Sequence, residues 1–226
     1  MARDYSAIRQ GLEERIRAAA ERGGDRNRSV RVVAVSKMTT LEEVQLAWQS
    51  GFEEFGENRV QELVAKHAEL PEARWHLIGR LQTNKVKDAI ERSCLIHSLD
   101  RWPLAEYIEK RAQILGRQVD TLLEVNISGE KTKAGVTPED VVHFLSSLSE
   151  MRYLRVLGLM TVAPEEKNPE KLRSLFKQMK HLFDSIRGEC YPNVEMVHLS
   201  MGMSGDFEVA VEEGANIVRI GRAVFG

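Results

Sequence analysis

Lys37 closes a run that reads Val32-Val33-Ala34-Val35-Ser36. If that run is a β-strand, the lysine amine stands at the rim of an apolar core. Desolvation there penalises the ammonium form, nearby arginine charges act in the same direction, and the freed amine can condense with an aldehyde to an imine. The simpler reading is a lysine that snorkels from a strand end into solvent. Two later stretches suit an anion: Ser200-Met201-Gly202-Met203-Ser204-Gly205-Asp206 and Gly221-Arg222-Ala223. Small residues let backbone N–H groups approach a phosphate, and the first stretch opens a helical segment, 207–213, whose N-terminus favours negative charge. By itself that stretch reads equally as a turn capping a helix. Arg219 shares a strand face with Gly221, since alternate residues do. A guanidinium inside a fold needs an acceptor, either a protein carboxylate or a ring nitrogen of a ligand.

These residues cooperate only if the fold gathers them. Tyr5, Ile8, Leu12, Ile16 and Ala19 recur at three- and four-residue steps, which predicts an amphipathic helix over 5–20, ended by Gly23-Gly24. Eight candidate strands follow, at 30–37, 52–58, 74–80, 94–100, 118–128, 154–162, 194–201 and 216–222. Most are short and rich in Val, Ile and Leu, the composition of strands covered on both faces. Helical patterns separate them. Thr40-Leu41-Glu42-Glu43 forms a capping box, with Gly51 where a C′ glycine belongs. Thr137-Pro138 and Asn168-Pro169 each join an N-cap residue to a proline at the first helical position. Helices thus follow strands one to seven, and the N-terminal helix is free to fill the eighth outer position. Alternating β and α predicts a parallel sheet. Eight strands in 226 residues fit a compact (β/α)8 TIM-type barrel. The competitor is an open doubly wound sheet, but no GxGxxG follows the first strand. One domain is expected over residues 1–226.

Barrel sites lie at the C-terminal strand ends, often with a phosphate after strands seven and eight. That rule aligns Lys37, Glu57, Asn58, Arg80, Asp100, Asn126, Ser128, Thr161, Ser200 and the segment Arg219 to Arg222. A lysine, phosphate loops at the expected strands and an inward arginine together describe a site for pyridoxal 5′-phosphate (PLP).

Composition narrows the function further. Lys and Arg number 32 against 34 Asp and Glu, a formal net charge of -2, without the basic excess of a nucleic-acid or anionic-membrane binder. No stretch approaches the roughly 18 consecutive apolar residues of a membrane helix, and the first ten residues hold no apolar leader segment. Cys94 and Cys190 form no CxxC and are expected to be reduced, which suits the cytoplasm. His76, His97 and His198 lie in strands without metal-ligand spacing and read as core or rim histidines, so no metal is expected. The outer helix faces look polar, and a monomer is expected.

Six motifs occur in order: Val-Ala-Val-Ser-Lys (33–37), Phe-Gly-Glu-Asn-Arg-Val-Gln-Glu (55–62), Trp-His-Leu-Ile-Gly-Arg-Leu-Gln-Thr-Asn-Lys (75–85), Glu-Val-Asn-Ile-Ser (124–128), Leu-Ser-Met-Gly-Met-Ser-Gly-Asp (199–206) and Val-Arg-Ile-Gly-Arg-Ala-Val-Phe-Gly (218–226). With them the chain resembles, over nearly its whole length, the pyridoxal phosphate homeostasis proteins, also called proline synthetase co-transcribed homologues. The resemblance implies a barrel like the alanine racemase N-terminal domain, with an additional N-terminal helix. It implies Lys37 as the Schiff-base lysine and Asn58 beside the cofactor ring, near its phenolic oxygen. Ser200, Gly221 and Arg222 would hold the phosphate, with backbone help from Met201, Gly202 and the residues up to 204. Arg219 would face the pyridine nitrogen. The family is not known as an enzyme and is thought to keep PLP, amino acids and keto acids in balance.

Two functions compete. A PLP carrier or buffer needs one activated lysine and a modest phosphate grip. A PLP-dependent amino-acid racemase needs more. PLP enzymes that stabilise a carbanion usually protonate the ring nitrogen with a carboxylate, whereas Arg219 would keep it unprotonated. Alanine racemases take the second, opposing base from an additional β domain, and the sequence ends four residues after Arg222. The carrier without catalytic turnover is therefore the expectation, with apo PLP-dependent enzymes as recipients. Lys131 and Lys133, in the loop 128–135, could accept PLP transiently, although a solvated loop is the simpler reading.

Overall fold

In the computed structural model, which describes residues 3–130, 132–189 and 191–226, the strand Arg31–Val35 (β1) pairs in parallel with two neighbours, Glu54–Glu57 (β2) and Ile217–Ile220 (β8). Between those two the circuit passes through Arg74–Leu77 (β3), Leu95–Leu99 (β4), Val119–Glu124 (β5), Leu154–Met160 (β6) and Val194–Met203 (β7), and the sheet closes in the order β1 to β8. Closure excludes the open doubly wound sheet. Lys131 and Cys190 lie outside the described residues, and so do the expectations that fell on them.

A helix follows each strand: Leu41–Gln49 (α2), Val60–Glu69 (α3), Val86–Arg92 (α4), Trp102–Leu115 (α5), Val141–Ser147 (α6), Arg173–Arg187 (α7), Phe207–Glu212 (α8) and the short Arg222–Phe225 (α9). The N-terminal helix Tyr5–Arg22 (α1) is capped by Asp4, whose side chain accepts from the Ala7 N–H at 3.0 Å. It buries Tyr5, Leu12, Ile16, Ala19 and Ala20 and packs mainly on α8, with α2 and α9 beside it. That is the eighth outer position. The capping box at the start of α2 forms as the sequence predicts, with Thr40 and Glu43 bonded reciprocally. Gly51 follows at φ 92°, a left-handed conformation that glycine adopts without strain. No helix among the described residues is long and apolar enough to cross a membrane.

Alternation along the strands divides the core in two. One set of faces packs outward against the helices, with Ala34, Phe55, Leu77, Leu123, Leu199, Val218 and Ile220 fully or nearly fully buried. The other set points into the barrel, where Val33, Leu95, Leu122, Met160 and Ile217 form a separate apolar cluster. The barrel axis therefore carries packed side chains and no channel, as in other eight-stranded barrels of this type.

The strands are shorter than their sequence patterns at most C-terminal ends, and β7 is longer. β1 stops at Val35, two residues before Lys37, and β5 stops at Glu124 rather than running to Ser128. Asn126 and Ser128 organise the following loop: Asn126 Nδ2 donates to the Glu130 carbonyl at 2.9 Å, and the Ser128 hydroxyl donates to Asn126 Oδ1 at 3.2 Å. β7 continues to Met203, past a shift in its pairing with β8 between Ser200 and Met203. These end points decide which side chains reach the mouth.

Candidate cofactor site

At the C-terminal end of the barrel a cavity of about 470 Å³ is lined by residues from β1, β5, β7 and β8 and from the turns after the strands. Val35 and Ile78 supply apolar wall. Lys37, Asn58, Arg80, Glu124, Arg219 and Arg222 bring the polar and charged groups, and Gly79, Ser204 and Gly221 the small ones. Of the residues expected at the site, Lys37, Asn58, Arg219, Gly221 and Arg222 line this one cavity; Ser200, Met201 and Gly202 do not.

Lys37 is exposed at the mouth, so the apolar enclosure expected for its amine is not what surrounds it. Asn58 is exposed just beyond β2. A close backbone approach fixes its position, because a Cβ built on Gly79 would stand 2.3 Å from the Asn58 carbonyl oxygen. Only glycine lets the turn after β3 lie against the turn after β2.

Ser200 is fully buried inside the barrel, and its hydroxyl is engaged twice. Arg219 Nη1 donates to its Oγ at 2.6 Å, and His97 Nδ1 lies 3.1 Å away. The phosphate role expected of Ser200 conflicts with this placement. β7 runs two residues further than its pattern suggests, which leaves Ser200 below the mouth. Met201 is buried in the core, and Gly202 at φ 94° is where α8 crosses β7, a Cβ there meeting Ala210 Cβ at 2.6 Å. Met203 and Ser204 are the members of this turn that reach the cavity. Asp206 ties the turn by accepting from the Met203 N–H at 2.5 Å, and the Ala223 N–H donates to Ser204 Oγ at 3.2 Å, joining the turns after β7 and β8.

Arg219 is 4% exposed, and its other terminal nitrogen, Nη2, donates to the Thr161 carbonyl at 2.8 Å. Burial pulls its guanidinium down to about 10, while Glu124 and Asp206 act in the opposite sense. Neither carboxylate is among its hydrogen-bond partners, so the expected structural acceptor is a hydroxyl and a carbonyl instead.

Behind Arg219 a buried polar column descends through the barrel. An arginine only donates, so Ser200 Oγ accepts from it and also shares a hydrogen bond with His97 Nδ1. His97 Nε2 faces His76 Nδ1 at 3.0 Å. His76 in turn presents Nε2 to Glu54 Oε2 at 3.3 Å and to the Cys94 sulfur at 3.5 Å. Glu54 closes the column against Arg31 at 2.8 Å. Burial, then the charges of His76 and Arg219, hold His97 well below the usual imidazole range, which suits its role as a neutral link. Burial alone would raise Glu54, but hydrogen bonds from His76 and Arg31 outweigh it and hold the carboxyl at about 2. The reading of His76 and His97 as satisfied core histidines agrees with these contacts. Sequence inspection did not show that five strands contribute to one column.

Glu124 was also missed as a site residue. It is 9% exposed, ends β5 and faces the cavity, and no described residue donates a hydrogen bond to its carboxylate. Burial and then the negative charge of Asp100 push it up to about 7, against the smaller pull of Arg219 and Arg80. A signal existed in the sequence: a lone acid between Leu122-Leu123 and Val125. Glu57, by contrast, points away from the mouth and pairs with Lys66 and the Ser36 hydroxyl at 2.6 and 2.7 Å. On the rim, Lys133 Nζ donates to the carbonyl of Val162, another cavity residue, at 3.2 Å.

The alanine racemase N-terminal domain family matches residues 9–226. The pyridoxal phosphate homeostasis protein of Aquifex aeolicus is 46% identical over 215 residues, spanning 94% of this chain and 93% of that protein. The chain belongs to the pyridoxal phosphate homeostasis protein family. Within structural space the family likeness is equally complete. PipY of Synechococcus elongatus, solved without PLP, is 35% identical with a TM-score of 0.87, covering 99% of this chain and 100% of that one. PipY with PLP bound is 37% identical with a TM-score of 0.80, covering 92% and 100%. Alanine racemase of Clostridium difficile is 17% identical with a TM-score of 0.71, covering 97% of this chain and 59% of that one, a likeness of fold. The fold is thus the (β/α)8 barrel read from the strand count, with the alanine racemase N-terminal-domain likeness that the resemblance implies.

Proposed function

We propose that this chain binds PLP in the cavity at the barrel mouth and serves as a carrier or buffer for it, without catalytic turnover. One observation carries the reading. A single cavity brings together the Lys37 amine, the Arg219 guanidinium and a small-residue turn at Gly221-Arg222 beside Ser204. This donor set fits the group. When bound, PLP supplies an aldehyde that an amine can hold covalently. Lys37 offers that amine, and Asn58 lies where it can contact the ring. Arg222, Ser204 and the start of α9 offer donors to a phosphate. Arg219, a donor only, suits a ring nitrogen that accepts; Ser200 and Thr161 hold its guanidinium in the barrel axis. An arginine at that position does not protonate the ring nitrogen, so it does not build the electron sink on which carbanion chemistry depends. The names of the relatives above support the same cofactor.

On this reading the whole of 1–226 acts as one unit. It works as a monomer in the cytoplasm, with apo PLP-dependent enzymes as recipients. Adding PLP to the purified protein is expected to produce a visible absorbance band, and borohydride to fix the cofactor's mass on Lys37. Lys37→Ala is expected to lose both signals while keeping the wild-type circular dichroism spectrum. A protein that stays colourless with saturating PLP would refute the proposal. A robust racemisation rate with any common amino acid would refute its non-catalytic part.

A further inference from the structure

Glu124 poses a question that cofactor binding leaves open. Glu124 is a 9% exposed residue that lines the cavity, and its carboxylate accepts no hydrogen bond from a described residue, so a donor on a ligand would find it free. Its side chain lines the cavity that holds Lys37, so its partner is to be sought there. The same cavity is lined by Arg80, anchored from one side only. Its Nε donates to Asp100 Oδ2 at 3.1 Å, while both terminal nitrogens make no hydrogen bond to described residues and the side chain is 68% exposed. Asp100 is fully engaged, since Arg101 also pairs with it. The cavity lining therefore presents a carboxylate without a protein donor and a guanidinium fork whose terminal nitrogens have no protein acceptor among the described residues. A ligand with both an ammonium and a carboxylate complements the two.

We propose that the cavity contains a subsite for a free α-amino acid, its ammonium on Glu124 and its carboxylate on the terminal nitrogens of Arg80. The proposal rests on the carrier reading for its meaning, because it names amino acids as the ligand class sharing the cavity with the cofactor. A fork geometry suits a planar carboxylate, and a buried acid suits a primary ammonium better than a neutral donor. Glu124 accepts the ammonium best when ionised. The groups that face it and set its charge are Asp100, Arg80 and Arg219.

The test uses the cofactor-free full chain, so that a failure of PLP binding and a failure of this proposal are read separately. L-Alanine, ethylamine and propionate are titrated into it and followed by NMR. L-Alanine is expected to bind at least about tenfold more tightly than either fragment, as befits one charge-assisted hydrogen-bonding group gained over each. Glu124→Gln is expected to erase the advantage over propionate, and Arg80→Gln the advantage over ethylamine. Both variants are expected to keep the wild-type circular dichroism spectrum, which shows that they fold. Binding of L-alanine no tighter than of ethylamine overturns the proposal. So does a Glu124→Gln variant that loses PLP but treats the three probes as the wild type does, because Glu124 would then serve the cofactor itself.

Discussion

Arg219 Nη1 donates to Ser200 Oγ at 2.6 Å inside the barrel, below the cavity floor. The guanidinium is thereby aimed by a residue of the neighbouring strand, and that residue is itself held by His97 on β4. Ser200→Ala removes an acceptor from Arg219 and a hydrogen-bond partner from His97. Each buried group left unpaired costs about 1–3 kcal/mol, and a lower urea midpoint is the expected result. The same variant weakens PLP and pyridoxal alike, because the fault lies behind the ring and not at the phosphate.

Arg222→Ala and Ser204→Ala should behave differently. They are expected to weaken PLP while leaving pyridoxal binding close to the wild type, since pyridoxal lacks the phosphate. Titrating both aldehydes by absorbance separates the two cases. Equal losses for both ligands in Arg222→Ala would remove the phosphate from the turn after β8.

Glu124 makes stability fall as pH rises. Its folded carboxyl titrates near 7 against an ordinary value of 4.5, because it is buried and faces Asp100. Between those values the unfolded chain has released the proton and the folded chain retains it, so the native state loses ground with increasing pH. Glu124→Gln should match the wild-type melting temperature below pH 4.5 and exceed it above pH 7. Parallel melting curves across that window would contradict the assignment.

At the opposite end of the column Glu54 has the reverse sign. His76 and Arg31 hold it at about 2, below its ordinary 4.5. Its contribution is fully present above 4.5 and is lost as pH falls through 2, where the folded carboxylate finally takes up a proton. Glu54→Gln should therefore flatten the acid limb of the stability profile, as read by thermal melts at descending pH. An unchanged acid limb would show that other carboxylates dominate it.

Gly79→Ala tests the seating of Asn58. Its Cβ would stand 2.3 Å from the Asn58 carbonyl, and neither backbone segment is a flexible side chain that can yield. Overpacking of this kind costs about 1–3 kcal/mol. The chemical-denaturation midpoint should drop, and PLP affinity should drop with it as the turn after β2 is displaced. A variant as stable as the wild type would mean that the two turns separate freely.

The hydrophobic alternation of the sequence determined eight strands, the helices between them and the parity that turns Arg219 and Val33 toward the same interior. Those features are local: a period of two or of 3.6 is written within one segment, and Thr40 with Glu43, or Asn168 with Pro169, marks a helix start without help from elsewhere. The order of the six motifs likewise carried the family, and with it Lys37 and the turn at Gly221-Arg222. Only the tertiary structure decided where each strand stops, because a strand ends where its neighbours cease to pair with it. That limit put Lys37 two residues past β1, brought Glu124 rather than Asn126 or Ser128 to the cavity, and set Ser200 beneath the mouth as a support for Arg219. The column from Arg219 through Ser200, His97 and His76 to Glu54 draws one residue from each of β8, β7, β4, β3 and β2. Its members stand next to one another only after the barrel has closed, so no single stretch of sequence contains the arrangement.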